Sequence, residues 1–240
     1  MLSYKMAPES NKYLIKELKW DSTCFGYSVG CLMLDHNDSF LPEDIFIYNK
    51  NFRLLYVFSK VLLKSNDKKL KLVDTKLMFC RKAETLECKF QGIRSYFGPL
   101  KQELLNLALS SGEFSRFKTD SSFENDEYYK LYREWIINSL NRKIAIDLFV
   151  YYVGDGIKGF VSLTAKKHQV EIGLIAVDKN SRGQGIGRDL INYAINYAAL
   201  NGYMTIKVAT QEDNKPAVAL YRKLGFELID LTYVYHYWNI

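Results

Sequence analysis

The segment Glu171–Ile191, EIGLIAVDKNSRGQGIGRDLI, constrains the fold more than any other part of the sequence. Val170–Val177 is almost entirely apolar, as expected of a strand that is buried on both faces. Glycines follow at positions 183, 185 and 187, and apolar residues then recur at helical spacing from Ile186. A buried strand, a glycine-rich loop and a helix in this order predict an α/β fold whose loop brings backbone amides close to a ligand.

The loop has the features of a phosphate site. The first amides of a helix lack intrahelical acceptors and carry the positive end of the helix dipole. Arg182 can add a charge-assisted, bidentate contact. The GxGxxG order of a dinucleotide site and the Gly-Lys-Ser/Thr of a P-loop are both absent. The loop residues alone leave open a glycine turn that binds nothing.

Composition narrows the possible partners only partly. The 33 Lys and Arg residues against 27 Asp and Glu give a net charge of +6, which favours anionic partners but does not choose between nucleic acid and small phosphate-bearing ligands. The histidines and cysteines show no metal-binding spacing, so we expect no metal. No apolar run reaches the roughly 20 residues of a membrane helix, and no export signal is evident, so we expect a cytoplasmic protein.

The hydrophobic pattern changes near Ile93, from short strand-like runs to a helical stripe of apolar residues, and this change predicts two domains. Residues 1–92 are expected to form a small α/β domain, with strands at Tyr13–Trp20, Tyr27–Leu34, Arg53–Ser59 and Leu70–Cys80, a turn at Asp21-Ser22-Thr23 and a helix near Pro42–Phe52. Residues 93–240 are expected to form the larger domain. Its predicted helices are Tyr96–Leu109, Glu127–Leu140, Gly185–Asn201 and Lys215–Leu224, and its strands are Ile146–Val153, Gly159–Ala165, Val170–Val177, Tyr203–Thr210 and Phe226–Trp238.

Two motifs resemble the GNAT superfamily of N-acetyltransferases. Arg182-Gly183-Gln184-Gly185-Ile186-Gly187 matches the acyl-CoA loop of that superfamily: Arg or Gln, two residues, Gly, one residue, then Gly or Ala. Its second conserved block resembles Asn214, Pro216, Ala217, Leu220, Tyr221, Leu224, Gly225 and Phe226. The resemblance implies a GNAT fold with a mixed, central, splayed sheet, acetyl-CoA as cosubstrate, and neither metal nor nucleic acid.

The resemblance also implies roles for individual residues. The amides of Gln184 through Gly187, with Arg182 and Gly183, would hold the CoA pyrophosphate. Strand Leu174–Val177 would splay from Tyr203–Thr210 and bind pantetheine, and the amides of Ile175 and Ala176 would polarise the thioester carbonyl. Asn214 would cap the next helix and reach the pantetheine arm.

Tyr221 and Glu171 are the candidate catalytic residues. Tyr221 occupies the position of the tyrosine that protonates the departing CoA sulfur in GNAT enzymes. Its side chain also fits a core position beside Leu220 and Leu224. Glu171 aligns with a general-base glutamate of the superfamily, and it also fits a carboxylate paired to a lysine.

Other segments resemble the TDP-fucosamine acetyltransferase group, in particular LKWDSTCFGYSVG, LKLVDTKLMFCRK, EFSRFKTDSSF, YYKLYREWIINSL and LTYVYHYW. This likeness implies an amine acceptor on a dTDP-linked 4-amino-4,6-dideoxyhexose, a role in surface polysaccharide synthesis, and a homodimer. Arg116 and Lys118 would then meet phosphate, Phe117 would stack and Asp120 would meet the amine, although the segment also fits a plain helix–helix connection. A GNAT enzyme acting on protein or polyamine amines and a non-catalytic acyl-CoA sensor stay open.

Overall fold

The computed structural model describes residues 15–34, 51–88 and 90–239. Contacts divide the chain into two units, Met1–Leu72 with Thr232–Ile240, and Val73–Leu231. In the first unit the described elements are β1 (Lys16–Glu17), α1 (Lys19–Phe25), β2 (Val29–Met33), β3 (Leu54–Ser59) and the end of β10 (Glu227–Trp238). Strand β2 lies between β1, which is antiparallel to it, and β3, which is parallel to it. Tyr233–Trp238 of β10 pairs antiparallel with β3.

Strand β1 covers Lys16–Glu17 of the predicted strand Tyr13–Trp20, so that prediction is correct only in part. Helix α1 takes the place of the end of the strand and of the predicted turn, so the turn is wrong. Residues 13 and 14 and most of the predicted helix near Pro42–Phe52 lie outside the described residues. The hydroxyl of Thr23 donates to the Lys19 carbonyl within the helix, 2.9 Å away. Gly26 ends the helix at φ 78°, a left-handed conformation that glycine adopts without strain. Ser22 and Thr23 were read as turn residues because their side chains bond to nearby backbone, and a helix can accommodate the same bonds.

The second unit is a six-stranded part of the sheet with helices against it. Its elements are β4 (Leu70–Lys82), β5 (Ile93–Ser95), α2 (Gln102–Ser111), α3 (Arg116–Thr119), α4 (Glu127–Leu140), β6 (Asp147–Val153), β7 (Gly156–Lys166), β8 (Gln169–Val177), α5 (Ile186–Leu200), β9 (Thr205–Gln211), α6 (Lys215–Lys223) and the start of β10. The strand order is β4-β9-β8-β7-β6-β5. Only β8 and β9 are parallel among these neighbours, so the sheet is mixed and the predicted α/β fold class is confirmed.

The division by contacts does not follow the predicted boundary between residues 92 and 93. Lys76–Lys82 of β4 pairs with Thr205–Gln211 of β9, which places most of β4 in the second unit. The division into domains 1–92 and 93–240 stays a prediction.

Helix α5 packs its predicted apolar face on the sheet. Its buried residues are Ile186, Leu190, Ile191, Ala194, Ile195 and Ala198, and they share one core with residues of β7, β8 and β9. Helix α2 contacts β7 and β8 through residues outside that core. Phe160–Leu163 of β7 is buried without alternation, so this strand is covered on both faces.

Gly159 sets the distance between β7 and α5. A Cβ added at Gly159 would lie 3.0 Å from Ile186 Cγ2 and from Leu190 Cδ1, and 3.1 Å from the Ala176 carbonyl oxygen. We therefore expect Gly159→Ala to lower the free energy of unfolding by about 1–3 kcal/mol, because helix and strand must move apart. Urea unfolding followed by circular dichroism measures this value.

Gly156→Ala is the matched control on the same strand. Its added Cβ would meet only the flexible Lys158 side chain at 3.5 Å and the Val153 carbonyl at 3.7 Å. Equal stabilities of the two variants would show that the packing of α5 does not depend on Gly159.

Candidate active site

The glycine loop has a defined shape between β8 and α5. A 3₁₀ turn at Lys179–Ser181 follows the strand, and the Asp178 carboxylate accepts the Asn180 amide at 3.1 Å. Gly183 and Gly185 then adopt φ values of 78° and 87°, where a side chain would be strained. These two glycines turn the chain directly into the first turn of α5.

The amides of this loop point to an anion site. Within the described residues, the backbone amides of Gly183 through Arg188 donate to no acceptor, and the first intrahelical bond runs from Asp189 to Gly185. A row of donors at the N-terminus of a 15-residue helix favours a phosphate group. The residues present therefore fit the pyrophosphate of CoA.

Arg182 lies beside the loop and contacts helix α2. Its guanidinium donates to the Val177 carbonyl at 3.4 Å and to the Ser110 hydroxyl at 3.1 Å, and it lies 3.7 Å from the Glu113 carboxylate. Its side chain is half exposed. The guanidinium is thus held near the loop by groups at the end of α2.

Strands β8 and β9 separate part-way along their length. They pair from Gln169 with Thr205 to Ile172 with Val208, and no pairing continues beyond this point in the described chain. The arms Leu174–Val177 and Ala209–Gln211 therefore enclose a gap, here named the strand opening. This separation agrees with the splayed sheet that the sequence predicted.

A bulge in β8 lies at the start of the strand opening. The register with β7 shifts between Val161–Ile175 and Leu163–Ile172, so β8 carries one extra residue opposite Ser162. The Ser162 hydroxyl accepts the Leu174 amide at 2.9 Å. Beyond the bulge, amides of successive residues point to opposite sides, so one of Ile175 and Ala176 directs its amide into the strand opening.

Helix α6 brings Tyr221 to this region. Asn214 caps the helix by accepting the Ala217 amide at 3.3 Å, so its predicted capping role is confirmed. A Cβ added at Gly187 of α5 would lie 3.4 Å from Leu220 of α6 and 3.6 Å from Val177 of β8. The glycine loop, one arm of the strand opening and the helix of Tyr221 thus meet at one place.

Tyr221 is buried, with 3% of its surface exposed. Its ring lies 5.9 Å from that of Phe79 and 5.8 Å from that of Phe226. Burial raises the pKa of its hydroxyl well above the usual value, so the group stays protonated at neutral pH. Tyr221 thus occupies a core position, as the sequence allowed, and its hydroxyl keeps its proton at neutral pH.

Glu171 lies on β8 beside the last residues that pair with β9. Its carboxylate is 3.0 Å from the Lys166 ammonium, and 22% of the side chain is exposed. This is the lysine pairing that the sequence left open as an alternative to a base. A role for Glu171 in proton transfer stays a prediction.

The predicted acceptor segment forms the short helix α3. Phe117 and Asp120 are each 7% exposed. The Phe117 ring packs 5.7 Å from that of Phe123, and the Asp120 carboxylate accepts the Ser122 amide at 3.0 Å. Arg116 stacks over Phe117 with 4.3 Å between guanidinium and ring centre. Contact of these residues with an acceptor stays a prediction.

Sequence reasoning missed a charged cluster on the inner strands. Asp74 and Lys76 of β4, Gln211 of β9 and Arg116 of α3 influence each other electrostatically, and we name them the Asp74 cluster. Burial raises the pKa of Asp74 to about 6, although Arg116 and Lys76 oppose this shift. Burial, followed by the charge of Arg116, lowers the pKa of Lys76. The sequence predicts LKLVDTKLMFC only as a strand and does not indicate that its charged residues are buried.

Comparison with known families matches the part of the chain that contains this candidate site. The sequence profile of the Acetyltransferase (GNAT) family matches residues 108–226, which span the glycine loop, the strand opening and Tyr221. The chain contains a GNAT acetyltransferase domain. The described residues include no group of three or more His, Cys, Asp or Glu suited to a metal ion, and no described helix is long and apolar enough to cross a membrane.

Two curated relatives of this GNAT protein carry names from sugar metabolism. Spore coat polysaccharide biosynthesis protein SpsD of Bacillus subtilis (strain 168) is 26% identical over 137 residues, which cover 57% of this chain and 47% of the relative. The dTDP-fucosamine acetyltransferase of Escherichia coli O6:H1 is 30% identical over 132 residues, which cover 54% of this chain and 56% of the relative. The chain thus spans about half the length of these relatives.

A solved structure resembles nearly the whole chain. A functionally unknown conserved protein from Staphylococcus epidermidis ATCC 12228 matches with a TM-score of 0.63 and 15% identity. The match covers 97% of this chain and 93% of that one. At this identity the similarity shows the fold alone.

Asp74 makes the stability of the second unit depend on pH. Because burial raises its pKa above the ordinary 3.8, its contribution to stability is present below that value and is lost as the pH rises through about 6. We expect Asp74→Asn to stabilise the protein by about 1–3 kcal/mol near pH 8 and by much less near pH 4. Chemical unfolding across this pH range measures the difference.

Asp155→Asn, in the exposed turn between β6 and β7, is the matched control and should change stability little at any pH. A loss of stability in Asp74→Asn near pH 8 would contradict the dominance of burial over the attraction of Arg116 and Lys76.

Proposed function

We propose that this protein is an acetyl-CoA-dependent N-acetyltransferase that transfers acetyl directly to the amine of a dTDP-linked amino-deoxy sugar. The meeting of the glycine loop, the strand opening and the helix of Tyr221 carries the proposal, because acetyl transfer needs all three. We propose that the enzyme acts in the cytoplasm, in the synthesis of a surface polysaccharide.

The donor half of the site follows from the backbone. The amides of Gln184 through Gly187, with Arg182 and Gly183, bind the pyrophosphate, and Arg182 moves from Glu113 to the phosphate oxygens. The arm Leu174–Val177 binds pantetheine through its unpaired edge, and Asn214 lies at the start of α6 to meet the same chain. Because Ser162 occupies the Leu174 amide, the thioester carbonyl is polarised by the amide of Ile175 or Ala176.

The chemical step needs two proton movements. The acceptor nitrogen bonds to the acetyl carbon, the carbon–sulfur bond breaks, and the CoA sulfur takes the proton of the Tyr221 hydroxyl. The proton of the acceptor amine passes to Glu171, directly or through water, after Glu171 leaves Lys166. All four cysteines precede Lys89, outside the motif region, so we propose no covalent enzyme intermediate.

The acceptor half has weaker support than the donor half. The names of the two relatives and the basic side chain of Arg116 support a sugar nucleotide whose phosphate meets Arg116. Stacking on Phe117 remains part of this proposal, although this side chain must first leave its buried position. For the amine the sequence predicts Asp120, which is equally buried.

The acceptor is tested by measuring CoA thiol release from acetyl-CoA with dTDP-4-amino-4,6-dideoxyhexoses, polyamines and lysine peptides as acceptors. We expect release with a dTDP-amino sugar alone. Release with a peptide or polyamine would keep the reaction and overturn the acceptor. Acetyl-CoA binding without release from any acceptor would favour a non-catalytic sensor.

Tyr221→Phe tests the proton donor. Because the ring stays and only the hydroxyl is lost, we expect turnover to fall about 10²-fold while acetyl-CoA affinity stays within about twofold. Tyr203→Phe, which changes another tyrosine that packs against the same core, is the control and should retain activity. Unchanged turnover in Tyr221→Phe would remove this residue from the mechanism.

A further inference from the structure

The Asp74 cluster lies on the face of the sheet opposite Tyr221. Side chains alternate along a strand, and Leu77 and Phe79 of β4 belong to the core that contains Tyr221. Asp74 and Lys76 therefore point to the other face. Lys76 pairs directly with Gln211 of β9. On β9 the residues Ile206 and Val208 point into that core, so by alternation Gln211 points to the same face as Lys76.

The cluster adjoins the strand opening. Gln211 lies on the arm Ala209–Gln211, beyond the last pair of β9 with β8. Glu171 alternates with the core residues Val170 and Ile172, so it points to the same face as Lys76, and its charge acts on Lys76. An acceptor that approaches the strand opening from this face meets the cluster, whereas the glycine loop precedes the helix α5 that covers the opposite face.

The charges of the cluster differ in sign. Asp74 is 9% exposed, and Arg116 and Lys76 are the cations that act on it most strongly. The side chain of Gln211 lowers the pKa of Asp74, and the negative charge of Asp213 raises it. A buried carboxylate that is costly to ionise beside two cations, next to the strand opening, is typical of a functional position.

We propose that Asp74 binds the amino group of the acceptor while Arg116 and Lys76 bind its anionic part, so that this cluster selects an acceptor that carries both charges. The amino group arrives as ammonium and releases one proton to water before the attack, so the amine that attacks the acetyl carbon is neutral. The inference rests on the proposed N-acetyltransferase function and deepens it. An amino sugar on a nucleoside diphosphate has both charges, whereas Arg116 and Lys76 repel a polyamine. Asp74 thus takes the place that the sequence gave to Asp120, whose carboxylate accepts the Ser122 amide.

Calorimetry tests the inference without turnover. The ligands are a dTDP-4-amino-4,6-dideoxyhexose and the matching sugar nucleotide with a hydroxyl in place of the amine. We expect the wild type to bind the amino sugar about tenfold more tightly, and Asp74→Asn to bind the two about equally. Equal binding of the two ligands by the wild type, or an unchanged preference in Asp74→Asn, would overturn the inference.

Kinetics separates this role from a structural one. With the dTDP-amino sugar we expect Asp74→Asn to raise the acceptor KM about tenfold while kcat and the acetyl-CoA KM change less than about twofold. Asp155→Asn should match the wild type in all three constants. A fall in kcat with an unchanged acceptor KM would contradict acceptor binding by Asp74.

The pH dependence gives an independent readout. The charged and polar groups that act on Asp74 are Lys76, Arg116, Asp213 and Gln211, and Tyr132 of α4 lies near enough to feel its charge. Because Asp74 is protonated below a pH of about 6, acceptor kcat/KM of the wild type should fall below that pH. Asp74→Asn should lack this fall, and a fall of the same size in the variant would overturn the inference.

The two proposals fail in different ways. If none of the sugar nucleotides supports thiol release, the proposed function is wrong. A calorimetric preference for the amine that depends on Asp74 would still support the inference in that case. Turnover of a dTDP-amino sugar with unchanged constants in Asp74→Asn would keep the function and overturn the inference.

Discussion

The hydrogen bond from the Leu174 amide to the Ser162 hydroxyl is the contact on which the site depends. It satisfies the amide that the bulge in β8 removes from regular pairing, and the bulge lies where β8 leaves β9. Without an alternative acceptor, that buried amide would carry the cost of an unmade hydrogen bond. The strand opening, the direction of Ile175 and Ala176, and the path of the chain into the glycine loop all follow from this local deviation.

The two faces of the sheet in the second unit differ in polarity. On one face, α5 packs on β7 so closely that a Cβ at Gly159 would crowd Ile186 and Leu190, while α6 lies within ordinary contact distance of Gly187. On the other face, the burial of Asp74 and Lys76 disfavours their charged forms. An apolar face suits a donor held by backbone, and a face with partly desolvated charges suits an acceptor that supplies compensating charges.

The sequence predicted elements that carry local signals better than features that depend on packing between distant segments, for physical reasons. Helix Glu127–Leu140 and the hairpin around Gly154–Gly156 were confirmed, because helical periodicity and turn residues are local signals. Helix Lys19–Phe25 was mistaken for strand and turn, since Ser22 and Thr23 favour either. The burial of Asp74 was missed because it depends on what packs against that face of the sheet, which is not a local signal in the sequence.

The pairing of β3 with Tyr233–Trp238 has a consequence for the order of folding during synthesis. Leu54 is made long before Trp238, yet the two lie opposite each other in the finished sheet. During synthesis, strand β3 therefore lacks its antiparallel neighbour until the last residues of β10 are made. The contacts within residues 73–231 join residues that are closer together in the sequence. The second unit can therefore fold first, and the first unit completes its sheet only when residues 232–238 have been synthesised.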